Sequence, residues 1–327
     1  MKKYILSAVL ILFSAAISAQ TFNKSGRTSF QFLKIGVGAR NAAIGESGIA
    51  SMDDINSVFW NPAAITGIEG TQASFDYTSW FAGLGITSAA VGYNFGELGT
   101  FAVNYSGLNY GQIQEALVTS PTGNVDTRTG NTFTGSDLEV GLTYAKQFTD
   151  KLSIGVEAKY LREDLFIYSS SLFAFDVGTY YKTGWHGIRL AMSAQNLGSP
   201  ARWLNTMEQS QQSYDLPIVF RIGWAVDLLG GHDLFLGGDP TQHKITFTMD
   251  GVHSNDYGER VLMGLEYTAF NIFSLRTGYR FNYTEGNLSF GAGINYNVGP
   301  VNLRVDYAYV AYDYLESPHR ITVIMAF

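Results

Sequence analysis

The 327-residue chain has no cysteine, seven prolines and few charges. Without cysteine there is no disulfide framework, thiolate metal site or cysteine nucleophile. A lipoprotein is excluded as well, because lipid attachment at a processed signal needs that residue. Charged residues make up 15%, against roughly 25% in an average soluble protein. The formal charge is −7, which argues against a nucleic-acid partner, since such partners require a basic face. Long apolar runs are also scarce. One lies in residues 5–17, after Lys2 and Lys3 and before the small pair Ser18-Ala19. This pattern reads as a secretory signal peptide over residues 1–19. The run is short for a membrane helix of about 20 residues, and no later segment is long and apolar enough to be one.

What the chain does have is glycine, tyrosine and phenylalanine: 36, 20 and 22 residues. From about residue 72 onward they fall into strand-like alternation. Leu288, Phe290, Ala292, Ile294 and Tyr296 alternate with Ser289, Gly291, Gly293 and Asn295. Val301, Leu303, Val305, Tyr307 and Tyr309 alternate with Asn302, Arg304, Asp306 and Ala308. About fourteen such segments of about ten residues can be read, a length that suits a tilted membrane strand.

The charges assign the faces. Glu139, Glu157, Lys159, Asp176, Arg189, Arg221, Asp227, Lys244, Asp250, Glu266, Arg276, Arg280, Arg304 and Asp306 share one parity. The other parity is nearly all apolar, with aromatics such as Tyr77, Tyr144, Tyr181 and Phe281 toward segment ends. A soluble sandwich also alternates, but aromatic girdles and mixed charges on the polar side point to lipid outside and a lumen inside. Strand edges cannot stay open in lipid, so the sheet must close. The expectation is all-β: a transmembrane antiparallel β-barrel of about 14 strands with an N-terminal plug segment. Residues 71–327 form the barrel and 20–70 the plug. The terminal Phe327 resembles the end signal of bacterial outer-membrane barrels. Short connections at 96–98, 149–151, 271 and 298–300 fit periplasmic turns, and the long ones at 112–135 and 197–216 fit extracellular loops. The long connection at 228–241 falls on the supposed periplasmic side and breaks that pattern.

Residues 20–70 lack the alternation. Their small residues suit close packing in a lumen, and Gly92, Gly141, Gly155, Gly178, Gly223, Gly264, Gly278, Gly291 and Gly293 on the inward parity leave room for them. Gly38-Ala39-Arg40 followed by Gly45-Glu46-Ser47-Gly48, the pair Asp53-Asp54, and Trp60-Asn61-Pro62-Ala63 resemble the start of PorV/PorQ family outer-membrane proteins. Many relatives have Gly-Gly where this chain has Gly-Glu-Ser. Further matches are Leu216-Pro217-Ile218-Val219-Phe220-Arg221 and Asp250-Gly251-Val252-His253-Ser254-Asn255-Asp256. The family is similar in turn to FadL-type transporters, which share the Asn-Pro-Ala and a plugged fourteen-stranded barrel. The resemblance implies a Gram-negative outer-membrane protein linked to type IX secretion. Its implied partners are outer-membrane lipid, translocon components and the C-terminal domains of secreted cargo. A FadL-like conduit holding a lipid-like ligand is the alternative.

Three candidate groups follow. Gly36, Gly38, Arg40, Asp53, Asp54, Trp60, Asn61, Pro62 and Ala63 form a plug motif with a structural or gating role. Gly36 and Gly38 lack the later glycine of a dinucleotide cradle, because position 41 is Asn, and read as a tight turn. Glu266, Arg276, Arg280, Arg304 and Asp306 form a lumen charge network, most simply paired within a filled barrel. Trp203, Leu204 and Met207 stand in a long loop, where they either cap the barrel or bind a partner or ligand. No Ser-His-Asp constellation is recognisable, and the expectation is not an enzyme. The five histidines lack paired metal spacing, and Asp250, Asn255, Asp256 and Glu259 lack regular EF-hand spacing and read as a solvated loop. No catalytic, cofactor or metal residue is expected.

Overall fold

The computed structural model describes residues 26–116, 128–205, 209–230, 239 and 241–327. The expected signal peptide, Met207 and residues 231–238 of the long 228–241 connection lie outside the described residues.

The strands are β1 (Thr71–Ser79), β2 (Gly85–Asn94), β3 (Thr100–Asn109), β4 (Ile113–Ala116), β5 (Arg128–Phe133), β6 (Gly135–Gln147), β7 (Leu152–Leu165), β8 (Tyr168–Lys182) and β9 (Arg189–Gly198). They continue as β10 (Ala201–Asn205), β11 (Gln209–Tyr214), β12 (Val219–Leu229), β13 (His243–Ser254), β14 (Arg260–Ala269), β15 (Phe273–Phe281), β16 (Leu288–Val298), β17 (Val301–Ala311) and β18 (His319–Ala326). Fourteen of them form a closed antiparallel barrel. β1 pairs with β18 from Gln72↔Ala326 to Ser79↔His319, and β8 pairs with β9, so no barrel edge stays open. Each segment read from the alternation overlaps one barrel strand. The hairpins β4–β5 and β10–β11 were not expected. They stand in the two long connections and mark what is called here the hairpin end.

Alternation does in the fold what it implies in the sequence. On β1, Phe75 is 51% exposed and its neighbour Asp76 is 3%. Phe75, Val91, Val103, Leu142, Phe173, Leu275 and Ile321 cover the outer wall. Apolar groups exposed there gain from lipid what soluble proteins gain from a core. Ser74, Asp76, Ser88, Asn104, Thr143, Asp176, Thr248, Asp306 and Thr322 point inward and are buried.

The barrel interior is filled by residues 28–70. Phe30 and Phe32 pack with Ile86, Leu108, Leu161, Ala174, Ala201 and Leu216 at the hairpin end. The chain then passes through a short helix (Ala39–Ala43) and two 3₁₀ turns (Ile55–Phe59 and Pro62–Gly67) to reach β1 at the opposite end. The strand glycines make this possible. A Cβ on Gly278 would collide with the backbone of Ile44 and Gly45, and one on Gly155 with the backbone of Pro62 and Ala63. At these positions the segment's main chain lies directly on the inner wall.

Candidate functional site

The contact between this segment and the wall is where the sequence-read residues gather. Gly38 has φ 92°, open to glycine without strain, and starts the short helix that carries Arg40. Gly36 serves close approach, since a Cβ there would strike the Trp60 ring. Trp60 Nε1 donates to the Val37 carbonyl at 2.9 Å, which folds the segment back on itself. Asn61 caps the second 3₁₀ turn: its Oδ1 accepts from Ala63 N at 3.0 Å, and its Nδ2 donates to the Thr179 carbonyl of β8 at 3.1 Å. Pro62 occupies the first position of that turn, where its missing N–H is harmless.

The plug motif and the lumen charges meet in a closed ring. Arg40 Nε lies 3.0 Å from Glu266 Oε2, and Glu266 Oε2 lies 2.7 Å from Arg276 Nε. Arg276 Nη1 is 2.6 Å from Asp306 Oδ1, and Asp306 Oδ2 is 2.9 Å from Arg304 Nε. Arg304 Nη2 then reaches Asp54 Oδ2 at 2.5 Å, and Asp54 Oδ2 returns to Arg40 Nη1 at 3.1 Å. Three guanidiniums alternate with three carboxylates, so no charge in the ring stands alone. Asp53, largely exposed, adds a bond to Arg40 at 3.1 Å from outside the ring. Burial pushes the Asp54 carboxyl up, but Arg304 and Arg40 outweigh it and hold it below the usual carboxylate range. The ring bridges the segment to β14, β15 and β17. Breaking one member of such a buried network costs about 3–5 kcal/mol, because its partners keep their buried charge.

Arg280 lies apart from the ring. It pairs with Glu46 at 3.4 Å, and Arg320 approaches the same carboxylate at 3.9 Å. Sequence reading missed Glu46 and Arg320; the signal available was a lone carboxylate in an otherwise apolar stretch. It also missed the β9 bulge. There Asn196, at φ 63°, donates its N–H to Asp176 at 2.7 Å and accepts from Lys159 at 2.7 Å. Asp256 was grouped with a solvated loop and is instead buried. Thr28 Oγ1 donates to it at 2.9 Å and Lys34 Nζ at 2.7 Å, tying the segment's first residues to the β13–β14 loop. Burial raises the Asp256 carboxyl, but Lys34, Ser254 and Thr28 together hold it below the usual range. Asp250 belongs to the lumen, where it accepts from Ile49 N at 3.1 Å. No group of three His, Cys, Asp or Glu suited to a metal occurs among the described residues. Trp203 is half-buried in β10, with Leu204 beside it in the same strand.

Between the segment and the wall a cavity of about 40 Å³ remains, bordered by Trp60, Glu139, Lys159, Gln195 and Arg221. It has room for a few waters, well short of the roughly 150 Å³ that takes benzene.

Residues 18–229 match the family described as Type IX secretion system protein PorV. The chain belongs to the PorV family. No curated protein is matched by sequence. Among solved structures, this PorV-family chain is similar to the Ralstonia pickettii toluene transporter TbuX at 13% identity and TM-score 0.56, covering 89% of this chain and 97% of that one. It is similar to the Pseudomonas putida toluene transporter TodX at 12% identity and TM-score 0.57, covering 89% and 97%. The CymD monoaromatic hydrocarbon channel matches at 12% identity and TM-score 0.56, covering 90% and 98%. At these identities the likeness establishes a shared FadL-like barrel fold. The PorV-family chain is an outer-membrane barrel.

Proposed function

We propose that this PorV-family barrel is a non-enzymatic component of type IX protein secretion that binds cargo or scaffolds the machinery. In this proposal residues 1–19 are an export leader and 20–70 a lumen-filling plug. The hairpin end faces the cell exterior, and Trp203, Leu204 and Met207 serve as the partner- or ligand-binding residues. The observation that carries the reading is the filled lumen. Six alternating charges and main-chain contact at strand glycines hold the segment in place, and the cavity beside it is about 40 Å³. A barrel so closed is suited to presenting surfaces. The translocon and the C-terminal domains of secreted proteins are the partners that family membership suggests.

The second reading is a conduit for a hydrophobic small molecule. It draws on the likeness to hydrocarbon channels and requires the segment to leave its seat. Two measurements separate the readings. Deleting the gene should strip several unrelated proteins from the cell surface, and gentle-detergent purification should recover translocon components or cargo. An unchanged surface proteome, with purified barrel holding a stoichiometric apolar ligand inside the lumen, would favour the conduit.

A further inference from the structure

Strand register sets two carboxylates face to face at the hairpin end. Asp137 of β6 is the direct partner of Glu163 of β7, and Glu163 is the direct partner of Ser170 of β8. Each lies two residues from the end of its strand. All three share the inward parity: Asp137 and Ser170 are buried, and Glu163 is partly exposed. Directly opposed residues on one face have Cβ atoms about 4.5–5.5 Å apart, and like charges so placed repel. The outward positions at this level are charged too, with Arg162 and Asp164 paired at 2.6 Å. Charge on the outer face is tolerated near the interfaces and not at the midplane, so this row stands at headgroup and water level.

Among the described residues no ion pair reaches either carboxylate. Arg162 is turned outward to Asp164. Lys159, the inward cation of β7, is four residues away, roughly 13 Å along the strand. Fully buried Leu161 stands between, and Lys159 is bound to Asp176 at 2.9 Å. The hydrogen bonds of the pair are half complete. Tyr110 OH donates to Asp137 Oδ2 at 2.9 Å, and Phe30 N donates to Glu163 Oε2 at 3.0 Å. Asp137 Oδ1 is buried without a donor, and the Ser170 hydroxyl opposite Glu163 is buried without a partner. Ser29 Oγ, one residue from the Phe30 amide, is a third such oxygen. Leaving buried oxygens unsatisfied is costly, and a cation between the two carboxylates relieves both the repulsion and the vacancy.

We propose that Asp137 and Glu163 hold a calcium ion, with the Ser170 hydroxyl and water completing its coordination. The donors are all oxygen, which suits a hard cation. Calcium takes six to eight oxygens in flexible geometry, whereas magnesium demands a near-ideal octahedron. A row of strand side chains open to water at Glu163 fits the flexible case. Only two of the ligands are carboxylates, so the affinity belongs to the weak class of about 10⁻⁴–10⁻³ M. The position gives the ion a task. Glu163 also holds the Phe30 amide, near the start of the lumen-filling segment. An ion bridging β6, β7 and β8 there braces the segment's entry. This inference requires the barrel fold alone and goes beyond any role in secretion.

The test uses the full-length protein in dodecyl maltoside, a detergent without phosphate, stripped with EDTA. Terbium is the probe, because Tyr110 beside Asp137 is placed to sensitise its luminescence, and calcium is the competitor. Wild type should show one saturable terbium site that calcium empties, and its thermal midpoint should rise with calcium. Asp137→Asn and Glu163→Gln can still accept from Tyr110 and Phe30 but lose the charge. Each should weaken calcium at least tenfold. In EDTA their midpoints should equal or exceed that of wild type, because the repulsion is gone, whereas a purely structural pair would make them fall. If either variant loses the heat-modifiable gel shift of a folded barrel, Ser170→Ala decides the matter: it removes one oxygen and no charge, and should weaken calcium severalfold. No calcium-displaceable terbium signal in wild type would overturn the proposal. So would unchanged calcium affinity in the variants, or displacement of terbium by magnesium as readily as by calcium.

Discussion

Arg40 of the N-terminal segment grips Glu266 of β14 with both arms of its guanidinium: Nε is 3.0 Å from Oε2, and Nη2 is 3.1 Å from Oε1. Planar two-point pairing of this kind fixes orientation as well as distance. It makes Arg40 the point at which the segment is clamped to the wall. Replacing Arg40 with methionine should destabilise the plugged state by about 3–5 kcal/mol, because Glu266 and Asp54 keep their buried charge. Higher ion conductance in planar bilayers and faster proteolysis of the segment are the readouts. Adding Glu266→Leu should recover part of the loss, and no recovery would mean the pair acts independently.

Gly278 offers a steric test of the same interface. Alanine there would press its Cβ into the backbone of Ile44 and Gly45. Overpacking of this kind costs about 1–3 kcal/mol. The thermal midpoint of Gly278→Ala in detergent should fall, whereas that of Gly251→Ala should stay near wild type.

The tie between Lys34 and Asp256 predicts a pH dependence. The Asp256 carboxyl is held below its ordinary range in the folded protein. Its stabilising contribution is therefore complete above about pH 3.9, the unfolded value for Asp, and is lost as pH falls through the lower folded value. Amide exchange of residues 28–35 should accelerate over that window. Asp256→Asn should exchange fast at every pH, and an acid response that persists in it would assign the effect elsewhere.

The outward face can be tested with one charge. Leu142 is 59% exposed on the outer wall. Arginine near the bilayer midplane of a barrel costs about 2–4 kcal/mol. Leu142→Arg should fold into vesicles less readily by that amount in a urea titration, and an unchanged titration would place Leu142 away from lipid.

Strand number and facing were legible because both depend on a local rule. Successive residues of a strand point to opposite sides, so Leu288, Phe290 and Ile294 had to share a face opposite Ser289 and Gly293 whatever lay around them. The same parity put Glu266, Arg276, Arg304 and Asp306 in the lumen. Which of them pair was not legible. Arg280 shares their parity yet joins Glu46, because the segment crosses the lumen at a height that no local pattern records. Parity turns Gly278 inward and Gly251 outward, but that Gly278 is the seat of another main chain is decided only when fourteen strands close and the segment fills them. Covalent alternation therefore set the wall, and the pairing of distant residues across the lumen set the latch within it.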